Sequence, residues 1–345
     1  MSNPPNFSVL VPNYNHGKQI GEALEALLGQ SVQPRAIYVV DDGSTDDSRD
    51  IIERYVQLHD HVHATYLERN QGVIQTMNDW LHSVSDTYVY FASADDIVMP
   101  GFFEKSFGVL AQHPDAALVS SLSLLMAADG QAMAEPNSPR PLKGAGFLSP
   151  ADVAQTLYAV DSWINGNTVI YKREALVSVG GFPAALDGFA DGFIFRLLAL
   201  MKGACFIAQP LAKRRWEASG YANRTMQSSE MALRVATRGE KLMRETYGDV
   251  FPAGYARRWR QRWLFGSVIY QVNQPYSEAY PSVCQLVDPV SALEQLIVKA
   301  ILLTPIARLK KLAAQLYFSI TMRPYDLRQA IYRHLFANVA RKLKG

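Results

Sequence analysis

Over the first 220 residues, short unbroken apolar runs alternate with stretches of helical spacing. Residues 7–12 (FSVLVP) and 37–40 (IYVV) show no polar alternation, the pattern of strands covered on both faces. Between them Ile20, Leu24, Leu27 and Leu28 recur at helical spacing, and Pro34 separates that helix from the second strand. The alternation continues with a strand at 63–67, a helix through Leu81, a strand at 88–92 (YVYFA) and a helix after Pro100 that carries Phe102, Phe103, Phe107 and Leu110. An apolar strand is predicted at 116–125, another at 165–172 (NGNTVIYK), and a helix over 187–200 with the apolar face Phe193, Ile194, Leu197 and Leu198. Strands alternating with helices predict an α/β fold, a mostly parallel sheet between helices. Residues 128–150, rich in proline and glycine, read as a long loop, either a lid or acceptor-binding segment or a plain surface loop.

Beyond residue 220 the pattern becomes helical and basic. Arg257, Arg258, Arg260 and Arg262 are interleaved with Trp259 and Trp263, which fits a patch for an anionic glycan or lipid headgroup and equally a helix with core tryptophans. Residues 291–303 and 306–317 read as two apolar helices broken at Pro305, fringed by Lys299, Arg308, Lys310 and Lys311. That pattern suits an interfacial membrane helix, or helices packed on the N-terminal domain or on a second subunit. The expected division is therefore an α/β domain at 1–220 and a helical basic region at 221–345.

Charge sharpens this division. The 345-residue chain has a net charge of +2, but residues 291–345 hold ten Lys or Arg against Glu294 and Asp326, a balance of +8 that leaves −6 on residues 1–290. An acidic body argues against nucleic acid as a partner. Cys205 and Cys284 are far apart with no CxxC spacing, so neither a disulfide framework nor a thiolate metal site is expected. A reducing, cytoplasmic setting follows, with no secretion signal or membrane span visible.

The chemistry collects where strands end. The run 37–40 stops at Asp41-Asp42-Gly43-Ser44, and the run 88–92 stops at Ser93-Ala94-Asp95-Asp96. In open α/β sheets the carboxyl edge is where ligands bind. Gly43 permits a sharp turn, and Ser44 is a candidate cap for a helix over 46–58. Capping alone accounts for either carboxylate pair taken singly. Two pairs at one edge favour a site, because gathered like charges call for a cation or a donor-rich ligand. Oxygen-only ligands suit Mg²⁺ or Mn²⁺, which would neutralise a diphosphate.

Five motifs in order carry a family resemblance: VPNYN at 11–15, VVDDGSTD at 39–46, NQG at 70–72, SADD at 93–96, and VGGF ahead of ADGFIFRLL. Together they resemble the family 2 inverting glycosyltransferases over about residues 7–220. The resemblance implies a GT-A fold, a nucleotide-sugar donor, and a glycan or lipid-linked acceptor in surface polysaccharide or glycan synthesis. It places the nucleotide-sugar among Pro12, Tyr14, Asp41, Asp42, Asn70, Gly72 and Asp96, a divalent cation at Asp95, and the catalytic base at Asp191. A tyrosine ring can stack on a base, and a carboxylate can accept the N3–H of uracil, so a UDP-linked donor is expected.

The departures from the family pattern are specific. Ser93 stands where the first carboxylate of a DxD-like motif is usual, Ala190 replaces an acid beside the base, and Met77 occupies a position often held by a phosphate-binding arginine. No histidine accompanies Arg214 and Arg215, whose guanidinium groups are the candidates to meet the diphosphate beside a weakened metal site. A catalytically silent sugar-nucleotide or glycan-binding module and a nucleotidyltransferase are the competing expectations.

Overall fold

The computed structural model describes residues 5–127, 130–131, 139–161, 163–216, 220–288 and 291–324. The chain begins as β1 (Phe7–Asn13), α1 (Gly17–Leu28), β2 (Ile37–Asp41), α2 (Ser48–Leu58), β3 (Val62–Tyr66), α3 (Val73–Ser83) and β4 (Tyr88–Phe91). It continues through β5 (Ile97–Val98), α4 (Phe102–Leu110), β6 (Leu118–Met126), β7 (Ala145–Leu148), α5 (Pro150–Val160), β8 (Ile170–Lys172), α6 (Arg173–Ser178), α7 (Ala190–Lys202) and β9 (Ala204–Arg215). Helices follow: α8 (Tyr221–Gln227), α9 (Ser229–Lys241), α10 (Tyr255–Gln271), α11 (Tyr276–Val287), α12 (Ala292–Leu303) and α13 (Ala307–Met322).

The strand order is β3-β2-β1-β4-β8-β6-β9-β5, with β7 on the far side of β9. β3, β2, β1 and β4 are parallel, β8 is antiparallel to both β4 and β6, and β6 is parallel to β9. β9 therefore runs in the same sense as β1, β2 and β4. The carboxyl ends of these four strands, and the approach into β8, all lie at one edge. This places residues 13–17, 41–44, 93–96, 165–168 and 214–215 on the same rim.

The apolar runs form strands because both faces are covered. Phe7, Val9, Val11, Ile37 and Val39 are buried with α1 and α4 side chains such as Ile20, Leu24 and Phe103. Phe7 meets Phe103 and Phe107 at centroid distances of 4.8 and 4.6 Å. Fully burying a side chain of this size stabilises by roughly 1.5–3 kcal/mol, so the strand ends above are set on a rigid base.

Several elements differ from the sequence pattern. β7 lies inside the stretch read as a loop, of which residues 128–129 and 132–138 are outside the described residues. β9 was hidden by Pro210, which sits opposite Leu122 where the pairing with β6 shifts register. Of 165–172 only Ile170–Lys172 is strand, and Gly166–Thr168 form a 3-10 turn. Ser44 does not cap a helix: α2 starts at Ser48, its N-cap position is Asp47, and the Ser44 hydroxyl is used by Asn13 and Asn15 instead.

By internal contacts the chain forms two compact units, one of Met1–Leu157, Ser162–Ala184 and Ala190–Glu217, the other of Tyr158–Asp161, Ala185–Phe189 and Ala218–Gly345. The second unit has its own core, in which Ala232, Leu264, Val268, Val283 and Phe318 are buried. Here the tryptophans of α10 resolve as packing. Trp259 is buried and stacks on Phe189 at 4.5 Å, and Trp263 donates from Nε1 to the Ala232 carbonyl at 3.0 Å. Three of the four interleaved arginines are partnered as well: Arg262 is buried and donates to the Pro324 carbonyl, Arg258 lies over the Tyr158 ring, and Arg260 approaches Glu240 at 3.3 Å.

Candidate active site

The first carboxylate pair is bound up in its own loop. Asp41, fully buried, accepts from Asn13 Nδ2 at 2.9 Å, from the Ser44 backbone N–H at 3.1 Å and from Arg49 Nε at 2.9 Å. Burial works to raise its pKa, yet the hydrogen bonds of Ser44, Arg49 and Asn13 outweigh it and hold the carboxyl below the usual carboxylate range. Gly43 makes this turn feasible: its φ is +77°, and a Cβ there would come within 2.8 Å of the Arg69 backbone. Asp42 accepts from the Gln71 and Gly72 amides, both at 2.8 Å, so the NQG loop is tied to the end of β2. Asp46 extends the brace by accepting from the Gly17 amide at 2.8 Å, at the start of α1. Pro12 is half-buried at the end of β1, while Tyr14 and Asn70 are exposed beside this loop system.

The second pair is braced from below. Asp96 is nearly buried and accepts from the Arg215 backbone N–H at 2.9 Å. Arg215 Nε donates to the Asp95 carbonyl at 3.1 Å and its guanidinium pairs with Glu22 of α1 at 2.9 Å. That side chain is 4% exposed, so Arg215 acts as a strut under the turn, while Arg214 next to it is exposed. Burial, then the charge of Asp95, pushes the Asp96 pKa up to about 7, against the Arg215 amide, Arg214 and Asn167. Asn167 is anchored through Nδ2 to Ser123 Oγ at 3.2 Å and through its carbonyl to the Tyr90 hydroxyl at 2.8 Å, and its buried Oδ1 has no hydrogen-bond partner.

Asp191 lies in the first turn of α7 and its Oδ1 accepts from the Gly192 amide at 2.6 Å. The residue is exposed to solvent, but protein crowds the carboxyl, which raises its pKa against the Gly192 amide, Arg196 and Arg214. One wall is Gly166, where a Cβ would fall 2.7 Å from Asp191 Oδ2. Arg214 is the common element, because its charge acts on both Asp96 and Asp191. Asp95, Asp96, Arg214, Arg215 and Asp191 thus form one group, and Pro12, Tyr14, Asp41, Asp42, Asn70 and Gly72 a second along the same edge. Asn13, Glu22, Asp46, Arg49, Gly166 and Asn167 were not read as site residues. Asn13, inside VPNYN, and Asp46, at the end of VVDDGSTD, had motifs to mark them, whereas the others acquire their roles through tertiary contacts.

Among the described residues no cluster of three His, Cys, Asp or Glu is arranged to hold a metal. Asp95 and Asp96 together with the unpartnered Asn167 Oδ1 offer oxygen donors. Mg²⁺-like cations commonly keep water and take one or two carboxylates plus substrate phosphates. The residues present therefore fit a cation shared with a diphosphate, not a protein-only cage.

A mixed, mostly parallel sheet between helices, with two acidic turns and a basic strand end at one edge, is a GT-A-like fold. Residues 8–125 match the family model "Glycosyl transferase family 2". Among curated relatives, TuaG of Bacillus subtilis, named for teichuronic acid biosynthesis, is 33% identical over 126 residues, which is 36% of this chain and 50% of TuaG. Glycosyltransferase GlyG of Streptococcus pneumoniae is 34% identical over 113 residues, 33% of this chain and 37% of GlyG. The chain thus spans half or less of these relatives. Among solved structures, S. aureus TarS 1-349 in complex with UDP-GlcNAc superposes with a TM-score of 0.60 at 16% identity, covering 92% of this chain and 91% of that one. The mannosyltransferase PcManGT of Pyrobaculum calidifontis, in complex with GDP-Man and Mn²⁺, gives 0.52 at 18% identity, covering 93% and 87%. At such identities the likeness establishes the fold.

Proposed function

We propose that this chain is an inverting glycosyltransferase that moves a sugar from a UDP-linked donor to a hydroxyl of a glycan or lipid-linked acceptor in cell-surface polysaccharide synthesis. The observation that carries the reading is the meeting at one sheet edge of Asp95, Asp96, Arg214 and Asp191. The sugar-nucleotide complexes of the structural neighbours and the biosynthetic name of TuaG support the substrate class.

In this reading Tyr14 offers its exposed ring to the base, and Asp41 and Asp42 hold the surrounding loops in shape. Arg214 meets the diphosphate. Asp95 and Asp96 would hold a divalent cation, which would supply positive charge toward the leaving diphosphate. Asp191 removes the acceptor hydroxyl proton as the acceptor oxygen bonds to the anomeric carbon, and the bond from that carbon to the diphosphate oxygen breaks on the opposite face. The electron pair leaves with the nucleoside diphosphate, and the anomeric configuration inverts. Crowding that raises the Asp191 pKa makes its carboxylate a better base.

The test is nucleoside diphosphate release from sugar nucleotides with and without a glycan acceptor, in Mn²⁺ and in excess EDTA. Acceptor-stimulated, cation-dependent release is expected, and it is lost in Asp95→Ala. Binding of sugar nucleotides without release would assign a silent binding module, and release of pyrophosphate a nucleotidyltransferase.

A further inference from the structure

The last two described helices are apolar on two sides. α12 buries Val298, Ile301 and Leu302 in the core of the second unit, and α13 buries Ala314 and Phe318. On α12, Leu293, Leu296 and Leu303 are nonetheless exposed, the first by 67%. On α13 the exposed series is Leu309, Leu312, Leu316 and Ile320, spaced three or four residues apart, with Ile320 at 71%. Single exposed leucines need no explanation, whereas two helical stripes of them in succession mark a surface that something covers.

Charge indicates what covers it. Residues 291–324 carry Lys299, Arg308, Lys310, Lys311 and Arg323 against a single acid, Glu294. Three of these cations crowd the beginning of α13, whose first turn holds no acid. That end of a helix favours anions, so the cluster stands against its own helix dipole, a conflict that an external anionic surface relieves. Pairing with a second copy about a two-fold axis would set cation against cation. No helix among the described residues is long and apolar enough to cross a membrane. Aliphatic stripes fringed by Lys and Arg suit a helix lying in the headgroup layer.

We propose that α12 and α13 form a docking face for an anionic lipid surface, their exposed leucines entering the headgroup boundary and Arg308, Lys310 and Lys311 meeting lipid phosphates. The inference is independent of the transfer chemistry.

Co-sedimentation of the full chain tests it, with vesicles of phosphatidylcholine plus phosphatidylglycerol and of phosphatidylcholine alone. Binding to the anionic vesicles should be at least about tenfold tighter than to neutral ones and should weaken with salt, since each basic side chain at such a surface contributes about fivefold. The Leu312→Asp/Leu316→Asp and Lys310→Glu/Lys311→Glu variants, shown to be folded by an unchanged thermal midpoint, should each lose about tenfold or more. Equal binding to both vesicle types, wild-type binding by the variants, or a concentration-dependent dimer that Leu312→Asp/Leu316→Asp dissolves would each overturn the proposal. The wild-type comparison between the two vesicle types does not depend on any variant folding.

Discussion

The two carboxylate pairs at the sheet edge have opposite electrostatic fates. Asp41 is neutralised from within by Arg49, Asn13 and the Ser44 amide, and its pKa is lowered despite complete burial. Asp96 has the Arg215 amide, the charge of Arg214 and the Asn167 side chain against burial and the adjacent charge of Asp95, and its pKa still rises to about 7. Their arginines are arranged in mirror fashion: in the Arg49–Asp41 pair the acid is buried and the arginine half-exposed, while in the Arg215–Glu22 pair the arginine is buried and the acid exposed. A saturated pair shapes a loop. An under-compensated pair stores an unmet demand for positive charge, which in the proposed reading a cation and Arg214 would satisfy together.

The largest effect should come from Asp191, which shares Arg214 with the under-compensated pair. Asp191→Asn should lower turnover by about 10²–10⁴-fold with the donor dissociation constant nearly unchanged, because general-base catalysis has that size. Asparagine caps a helix about as well as aspartate, so stability should hold. Turnover above about a tenth of wild type would assign Asp191 to capping and move the base elsewhere.

The next contrast is one of stability. Asp41→Ala removes the acceptor shared by Asn13 Nδ2, the Ser44 amide and Arg49 Nε and should lower unfolding free energy by about 2–4 kcal/mol. Asp95→Ala, at a partly exposed side chain, should leave the urea midpoint almost in place while abolishing cation-dependent release. The reverse pattern, a stable Asp41→Ala and an unfolded Asp95→Ala, would dissolve the distinction between the two pairs.

Asp96 makes the distinction pH-dependent. Its folded pKa of about 7 lies above the ordinary carboxylate value near 4, so between these limits the folded state binds more protons than the unfolded chain. Ionising Asp96 therefore destabilises the fold increasingly as pH rises from about 4 to about 7, and the full penalty persists above 7. Asp96→Asn keeps an acceptor for the Arg215 amide and removes that charge. Its thermal midpoint should exceed wild type at pH 8 and converge on it near pH 4. A gap that widened toward low pH would contradict the raised pKa.

What the sequence displayed and what it concealed divides along the same physical line. The parallel strands were legible because runs such as IYVV end abruptly at carboxylates, and the placement of Asp41, Asp42, Asp95 and Asp96 followed at once. Ser44 was misread as a helix cap because serine's hydroxyl serves caps and local loop bonds equally well; its partners Asn13 and Asn15 lie about thirty residues away. β5 has two residues, and β9 is interrupted by Pro210, so neither has a usable period. The Arg and Trp run of α10 was ambiguous until Phe189, some seventy residues upstream, supplied the stacking surface. Asn167 and Glu22 have no local signature, as each becomes a site neighbour only through the sheet order.

The smallest effects test the mirror arrangement of the two arginines. Removing the exposed member of each pair should give unequal results, because what matters is the group left behind. Arg49→Met leaves the buried Asp41 carboxylate with the Asn13 and Ser44 donors only, and should cost about 1–2 kcal/mol at pH 7. Asp41 has a lowered folded pKa, so its stabilising contribution is present above the ordinary carboxylate range and fades as pH falls through the folded value. The deficit of Arg49→Met should accordingly shrink in acid. Glu22→Gln retains an oxygen acceptor for Arg215, whose Nε still donates to the Asp95 carbonyl. Since Glu22 is 58% exposed and screened by solvent, the change should be about 0.5 kcal/mol or less. Urea midpoints of the two variants at pH 7 and at a pH below the folded value of Asp41 decide the matter: an Arg49→Met deficit unchanged between the two would mean that burial of the acid, on which the contrast between the two pairs rests, has no energetic consequence.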